Sequence, residues 1–227
     1  MARRKRLKFN NIKTFYHVFS KTVGSEFFLD TDKKKKFFVD TLKRLSIFFS
    51  IKVKHFVVMT NHFHLILETC PEIKISDEEL IQKAKKAKLF KNLVLKKDFI
   101  KLRKKLNDIS EFMKLLKQIY AQWYNKNFER SGYFWGSRFK SIIIQPGIHL
   151  LNCIIYVILN PVRAKMVTSP EKYKFSSLHM NKNEYKFLKH SENYEKFHNK
   201  MENFFKKDIM GESKFINMVK NLIKKNI

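Results

Sequence analysis

The chain has 227 residues, and its 48 lysines and arginines against 20 aspartates and glutamates give a formal net charge of +28. The hydrophobic fraction of 44% is too high for a disordered basic tail, so we expect a folded protein that binds polyanions. Two cysteines exclude a disulfide framework, and no apolar run is long enough for a secretion signal or a membrane span. We therefore expect a cytoplasmic protein without a membrane partner.

The first elements predicted along the chain are a strand and a helix. Apolar and polar residues alternate over residues 15–19, which predicts a strand that leads into a turn at Gly24. Thr31 or Asp32 is suited to cap the next segment, whose apolar residues recur at three- and four-residue spacing. This spacing predicts an amphipathic helix with lysines exposed at its start.

The middle of the chain predicts a strand pair followed by lysine-rich helices. Residues 51–59 and 62–68 are rich in β-branched and aromatic side chains, which indicates two strands joined by a tight turn. Ser76 followed by Glu79 is the capping-box signature of a helix start, and lysines crowd the helix after it. Residues 112–123 show the periodicity of a further helix.

The last predicted core element is a helix over residues 150–159, which we expect Pro161 to end. The final forty or so residues have the pattern of short basic helices. We therefore predict one domain over residues 1–180, with a lysine-rich helical insertion at about 76–110. Residues 181–227 would form a basic helical appendage.

The most informative local pattern is a pair of histidines two residues apart. Side chains at i and i+2 of a strand point to the same side, so His62 and His64 would lie together while Phe63 points into the core. Two imidazoles so placed are able to bind one divalent metal ion. Any half-exposed strand with two histidines at this spacing looks the same, so ordinary histidines are the alternative.

Tyr156 and Asn160 would lie on one face of the helix before Pro161, because residues four apart are helical neighbours. The amide carbonyl of Asn160 is suited to complete a metal site, and the phenol would lie within reach of what the metal polarises. The alternative is that Tyr156 is a core residue and Asn160 a residue of the helix end.

A third pattern mixes aromatic and cationic side chains, in Trp135, Arg138 and Lys140. Such mixing is typical of proteins that stack aromatic rings on unpaired bases and pair cations with phosphates. The alternative is a loop whose aromatic side chains, Trp135 included, fill the core.

Four segments together resemble the REP-associated tyrosine transposases, within the wider group of HUH single-tyrosine endonucleases. They are residues 16–18, 58–65, 131–141 and 156–164, and they occur in the family's order between about residues 15 and 180. The chain departs from the family at residues 21–24, where an Arg-Gly-Asn-like stretch is usual. Thr60 also replaces the usual proline of Met-Pro-Asn.

This resemblance implies a ferredoxin-like α+β fold, an antiparallel sheet with helices on one face, to which central and C-terminal helices are added. It also implies a divalent metal, Mg²⁺ or Mn²⁺, held by His62 and His64 with Asn160 as a further ligand. Tyr156 would be the nucleophile that forms a 5′-phosphotyrosine intermediate with DNA. The residues expected to contact the DNA are Arg138, Lys140, Trp135, Lys21 and Arg163.

The implied activity is that of a transposase-like endonuclease and strand transferase acting on single-stranded DNA beside a hairpin, such as a REP palindrome. The protein would be a monomer or homodimer associated with a bacterial nucleoid. Two alternatives stay open. A basic nucleic-acid-binding protein with an idle site would bind DNA without cutting it, and a metallonuclease that uses water would cut without Tyr156.

Overall fold

The computed structural model describes residues 7–9, 12–70, 75–88, 96–180 and 209–225 of the chain. Its strands are β1 (Thr14–Lys21), β2 (Ile51–Val58), β3 (His62–Thr69), β4 (Lys140–Ile144) and the two-residue β5 (Ile209–Met210). Its α-helices are α1 (Asp32–Phe48), α2 (Asp77–Lys86), α3 (Lys96–Lys105), α4 (Ile109–Asn127), α5 (Ile148–Arg163), α6 (Ser177–Met180) and α7 (Ser213–Lys225). Short 3₁₀ turns lie at Val23–Ser25 and Pro170–Lys172.

These strands form one sheet in the order β2-β3-β1-β4-β5. The first four strands are antiparallel to their neighbours, and β5 adds a short parallel pairing to β4. The α+β class and the antiparallel sheet predicted from the sequence are thereby confirmed.

Because successive strand residues point to opposite sides, the sheet has two distinct faces. We call the side that carries His17, His62 and His64 the histidine face. The side that carries Val18 and Phe63 is the opposite face. Residues paired across antiparallel strands share a face, and β1 pairs with β3 in the register that sets Val18 beside Leu65.

Helices cover both faces of the sheet, which corrects the expectation that they lie on one. On the opposite face, the Phe38 ring of α1 lies 4.7 Å from the Phe63 ring, and Lys117 of α4 donates to Ser20. On the histidine face, Tyr156 of α5 contacts the His64 ring. The reason is that β3 is buried on both sides from residue 63 to 69, and a sheet buried on both sides needs two covering layers.

Local capping explains where the predicted helices begin. The Thr31 side chain accepts from the Lys34 backbone N–H at the start of α1, which confirms one of the two predicted caps. Ser76 and Glu79 form the predicted capping box of α2, with both reciprocal hydrogen bonds present. Asp108 caps α4 by accepting from the Ser110 backbone N–H.

The helix α5 continues past Pro161 to Arg163, so the prediction that Pro161 ends it is wrong. Proline at this position removes the N–H that would donate to the Val157 carbonyl, so the helix lacks one internal hydrogen bond there. The turn is still closed, because Ala164 N–H donates to the Asn160 carbonyl at 3.0 Å.

Two chain segments extend the sheet at its edges. The segment after α5 covers the β2 edge: Tyr173 Oη donates to the Val58 carbonyl at 2.6 Å, and Val58 N–H donates to Phe175. At the other edge β5 pairs with β4, and Phe215 and Ile216 of α7 pack against the core.

Residues 181–208 lie outside the described ranges, so the domain boundary near residue 180 stays a prediction.

The predicted lysine-rich insertion forms α2 and α3. Arg103 of α3 donates to the Ile75 carbonyl at 2.8 Å and pairs with Asp77 of α2, which joins the two helices. Residues 89–95 between them lie outside the described ranges. Among the described helices, none combines the length and the apolar composition that crossing a bilayer requires.

Candidate active site

The histidine pair lies at the start of β3, directly after a tight turn. The turn is closed by Met59 N–H, which donates to the His62 carbonyl at 2.8 Å. The rings of His62 and His64 are 5.1 Å apart and nearly perpendicular. The prediction that the two side chains lie together on one side of the strand is confirmed.

Two amide side chains surround the His62 ring. His62 Nδ1 lies 2.6 Å from Asn61 Oδ1, and the Asn160 side chain also hydrogen-bonds to His62. The amide nitrogens of both asparagines are used elsewhere: Asn61 Nδ2 donates to the Ser25 carbonyl and Asn160 Nδ2 to the Tyr156 carbonyl. Both amides therefore present their oxygen atoms to the imidazole.

This arrangement suits a divalent cation. Burial, together with the nearby charge of Lys21, lowers the pKa of His62 to about 4, so the ring is neutral at pH 7 and carries one N–H. A neutral imidazole donates its N–H to one of the two amide oxygens and faces the other with the lone pair of its second nitrogen. Two lone pairs then point at each other, which is unfavourable. A cation bound by that lone pair and the Asn160 oxygen would remove the conflict, and these are ligand types that Mn²⁺ and Mg²⁺ accept.

His64 is held by a third histidine. His17 Nε2 lies 2.8 Å from His64 Nδ1, and the two rings stack with centroids 5.0 Å apart. His17 is only 1% exposed, and burial lowers its pKa to about 3, so it is neutral at pH 7. Within the described residues, no group of three His, Cys, Asp or Glu side chains has the arrangement of a metal cage, so the predicted set depends on the Asn160 amide.

Tyr156 reaches the histidines from α5. Its ring is 5.7 Å from the His64 ring and 6.0 Å from the His17 ring, in edge-on geometry with both. Asn160 lies one turn later, in the last turn of the helix, where the negative end of the helix dipole favours a nearby cation. The structure thus brings together Tyr156, Asn160, His62 and His64 within one chain.

Two of the predicted DNA-contacting cations lie on the histidine face. Lys21 is paired with His62 across β1 and β3, and Lys140 with Phe19 across β1 and β4, so both share the side of the histidines. Both lysines are exposed. Arg138 is exposed two residues before β4, and Arg163 is exposed at the end of α5, seven residues after Tyr156.

Trp135 is placed elsewhere, which corrects its prediction as a base-stacking residue of this site. Its ring lies 5.4 Å from the Phe63 ring and 4.7 Å from the Phe134 ring, on the opposite face of the sheet. Its indole N–H donates to the Lys117 carbonyl at 2.9 Å. The physical reason is that the large apolar ring is half-buried against the aromatic core and anchors its loop there.

Sequence patterns alone do not identify two residues of the site. His17 falls within the strand predicted over residues 15–19, but its bond to His64 depends on strand register. Asn61 was visible as a turn residue before His62, and its contact with the ring depends on how that turn closes. Asn61 directly precedes the His-Phe-His segment, whereas no local pattern in the sequence links His17 to that segment.

The fold is similar to that of a REP-associated tyrosine transposase solved bound to a REP hairpin, with a TM-score of 0.52 and 15% sequence identity. The similarity covers 79% of this chain and 84% of that chain. A Deinococcus radiodurans protein described as a candidate transposase is similar with a TM-score of 0.35 and 16% identity, over 68% of this chain and 92% of that one. No protein-family model matches the chain, and no curated protein matches its sequence.

At 15% identity, the first of these similarities establishes a shared fold. The fold that the sequence resemblance implied is therefore the fold of this chain. What the chain does has to be argued from its own site.

Proposed function

We propose that this chain belongs to the REP-associated tyrosine transposases and is a metal-dependent endonuclease and strand transferase for single-stranded DNA. It would cut beside a hairpin through a 5′-phosphotyrosine intermediate. The observation that carries the proposal is the position of Tyr156, whose ring contacts His64 while Asn160, one turn further, contacts His62. A transposase of the same fold was solved with a REP hairpin, which supports DNA of that kind as the substrate.

The residues account for the chemical steps of strand cleavage. Tyr156 Oη attacks the scissile phosphorus, and the bond from phosphorus to the 3′ oxygen breaks. The phenolic proton leaves to water, and the departing oxygen takes up a proton to become a free 3′-OH. The phosphodiester energy is kept in the tyrosine link, so a 3′-OH can later attack the link and rejoin strands.

The cation site and the lysines would act on the phosphate rather than on the nucleophile. His62, His64 and Asn160 would hold Mg²⁺ or Mn²⁺, which supplies Lewis-acid stabilisation of the charge that develops on the phosphate oxygens. Lys21 and Lys140 are exposed on the same face, where they suit contacts with the flanking phosphates.

Cleavage would take place in cis, because the contacts between Tyr156 and both His17 and His64 are made within one chain. A dimer that exchanges α5 would place the tyrosine of one chain over the histidines of another. Mixing a Tyr156→Phe chain with a His64→Gln chain distinguishes these arrangements: cis catalysis predicts no recovery of cleavage in the mixture.

The central test uses DNA pools with a hairpin stem flanked by randomised single-stranded arms, labelled at either end and incubated with the full chain and Mn²⁺. On a denaturing gel, the 3′-side label should migrate with the protein and the 5′-side label should be released on a fragment with an extendable 3′-OH. Tyr156→Phe should abolish both products. The matched control is Tyr124→Phe, which removes a similarly buried phenol from α4 and should leave cleavage intact.

The other outcomes identify the alternatives. Cutting that persists in Tyr156→Phe without a protein adduct indicates a metallonuclease that uses water. Binding that weakens steeply with salt, without cutting in any divalent metal, indicates a nucleic-acid-binding protein with an idle site. A 5′-side label on the protein would reverse the polarity of the intermediate and contradict the proposed chemistry.

A further inference from the structure

His17 is an ionisable residue in the middle of β1 with almost no exposure to solvent. Polar residues are seldom buried so completely without a specific partner. The partner of the His17 Nε2 atom is His64 Nδ1, at 2.8 Å, and the two rings are within 18° of parallel. This contact joins the central strand β1 directly to one of the two predicted metal ligands.

The hydrogen bond between the His17 and His64 imidazoles has a direction. One ring contributes an N–H and the other a lone pair, so two tautomer arrangements are available. If His17 accepts, His64 carries its proton on Nδ1 and has a lone pair on Nε2. The proton of His17 is then on its own Nδ1, a buried atom that makes no hydrogen bond among the described residues, so this arrangement leaves one donor unsatisfied. If His17 donates, His64 carries its proton on Nε2, and that nitrogen is unable to bind a metal.

We propose that His17 is a positioning residue whose Nε2 accepts the Nδ1–H of His64, so that the His64 Nε2 lone pair is presented to the metal site beside Tyr156. The inference rests on the proposed function, because it assigns His64 to a metal. Histidines that bind metals commonly donate their second N–H to a fixed acceptor, which sets both the ring orientation and the tautomer.

The surroundings of His64 support a positioning role for His17. The Phe19 ring, 5.6 Å from the His64 ring, limits where that ring lies without choosing its tautomer. Tyr156 approaches the His64 ring edge-on, so a rotated His64 would also alter the contact with the proposed nucleophile. The lone pair of His17 Nε2 is suited to fix the ring and its proton together.

The first test reads the tautomer in the metal-free full-length protein by long-range nitrogen-15 NMR of the histidine side chains at pH 7.5. The proposal predicts that His64 is protonated at Nδ1. In His17→Leu the acceptor is lost, and the His64 signals should shift towards a mixture of tautomers. A wild-type His64 protonated at Nε2 would overturn the proposal without involving any metal.

The second test measures Mn²⁺ affinity by titration calorimetry for the wild type, His17→Leu, His17→Gln and Val18→Ala. His17→Leu should bind Mn²⁺ about 10- to 100-fold more weakly. His17→Gln places an amide oxygen where Nε2 was and should bind close to the wild type. Val18→Ala removes buried carbons from the same strand on the opposite face, so its Mn²⁺ affinity should not change.

The outcomes separate the two proposals. If the wild type binds Mn²⁺ and His17→Leu binds it equally well, the positioning role fails and the proposed function stands. If the wild type does not bind Mn²⁺, the metal-dependent function fails and the positioning role fails with it. If His17→Leu does not fold, the His64 tautomer that NMR shows in the wild type still decides the question.

Discussion

The two faces of the central sheet are built from different chemistry. On the opposite face, Phe63 has no exposed surface and packs against the rings of Phe38 and Trp135. Four histidines share the histidine face: His17, His55, His62 and His64. His55 is placed there by its pairing with Ile66, which lies on the same side of β3 as His64.

This difference separates stability from chemistry. Aromatic carbon buried on the opposite face stabilises the fold through removal of apolar surface from water. Burial of imidazoles on the histidine face disfavours their protonated form instead, which lowers the pKa of His17 and His62 and costs stability at acidic pH. Substitutions on the two faces should therefore have effects of different kinds.

The largest expected effect is on the opposite face. Phe63→Ala should lower the free energy of unfolding by about 3–5 kcal/mol, because a fully buried ring is lost and a cavity is left. Urea unfolding measures this change. At low temperature, cleavage per folded Phe63→Ala molecule should stay near the wild-type level. A loss of cleavage in the folded variant would show that the opposite face also contributes to the chemistry.

The matched substitution on the histidine face is His64→Gln, at the neighbouring position of the same strand. It removes the proposed ligand and should lower the cleavage rate roughly 100-fold or more, as loss of one electrostatic contact to a transition state does. The urea midpoint should stay near that of the wild type. Equal cleavage rates for His64→Gln and the wild type would show that His64 is not part of the active site.

The histidine face should also make stability depend on pH. Burial lowers the pKa of His17 to about 3 and of His55 and His62 to about 4, below the unfolded value of about 6.5. The unfolded chain therefore binds protons at a pH where the folded chain does not. The free energy of unfolding should fall as pH decreases from about 6.5 towards 4, by about 2 kcal/mol per histidine at pH 5.

Urea titrations in EDTA at pH 7.5, 6 and 5 measure this dependence. His55→Gln lies outside the proposed metal site and should remove one histidine's share of the loss between pH 7.5 and 5. If the wild type is equally stable at pH 7.5 and pH 5, the histidines are not buried in solution as they are in the structure.

The smallest effects are expected from the exposed lysines. Lys21→Ala and Lys140→Ala should each weaken binding of single-stranded DNA and lower the slope of log affinity against log salt by about 1 or less. Lys43→Ala, on the α1 layer that covers the opposite face, is the control and should leave the slope unchanged. A larger change of the slope for Lys43→Ala than for Lys21→Ala and Lys140→Ala would indicate that the DNA binds over the opposite face and not over the histidine face.

Local signals in the sequence were sufficient for much of the architecture. The caps at Thr31 and Ser76 and the strand alternation around His62 depend on neighbours within four residues, and all three were predicted. Pro161 was misjudged because the helix closes another turn after it, through the Ala164 N–H bonded to the Asn160 carbonyl, despite the one missing donor. Trp135 was ambiguous because an aromatic loop residue suits a core and a base equally well.

By itself, the sequence determined a basic α+β protein in which His62 and His64 share one side of a strand and Tyr156 and Asn160 one side of a helix. Those relations follow from the fixed repeats of strands and helices. Only the tertiary structure decided that α5 crosses the histidine face, that His17 meets His64, and that Trp135 lies on the other side. These contacts join residues between 47 and 139 positions apart, depend on strand register and layer packing, and have no signature in a local pattern.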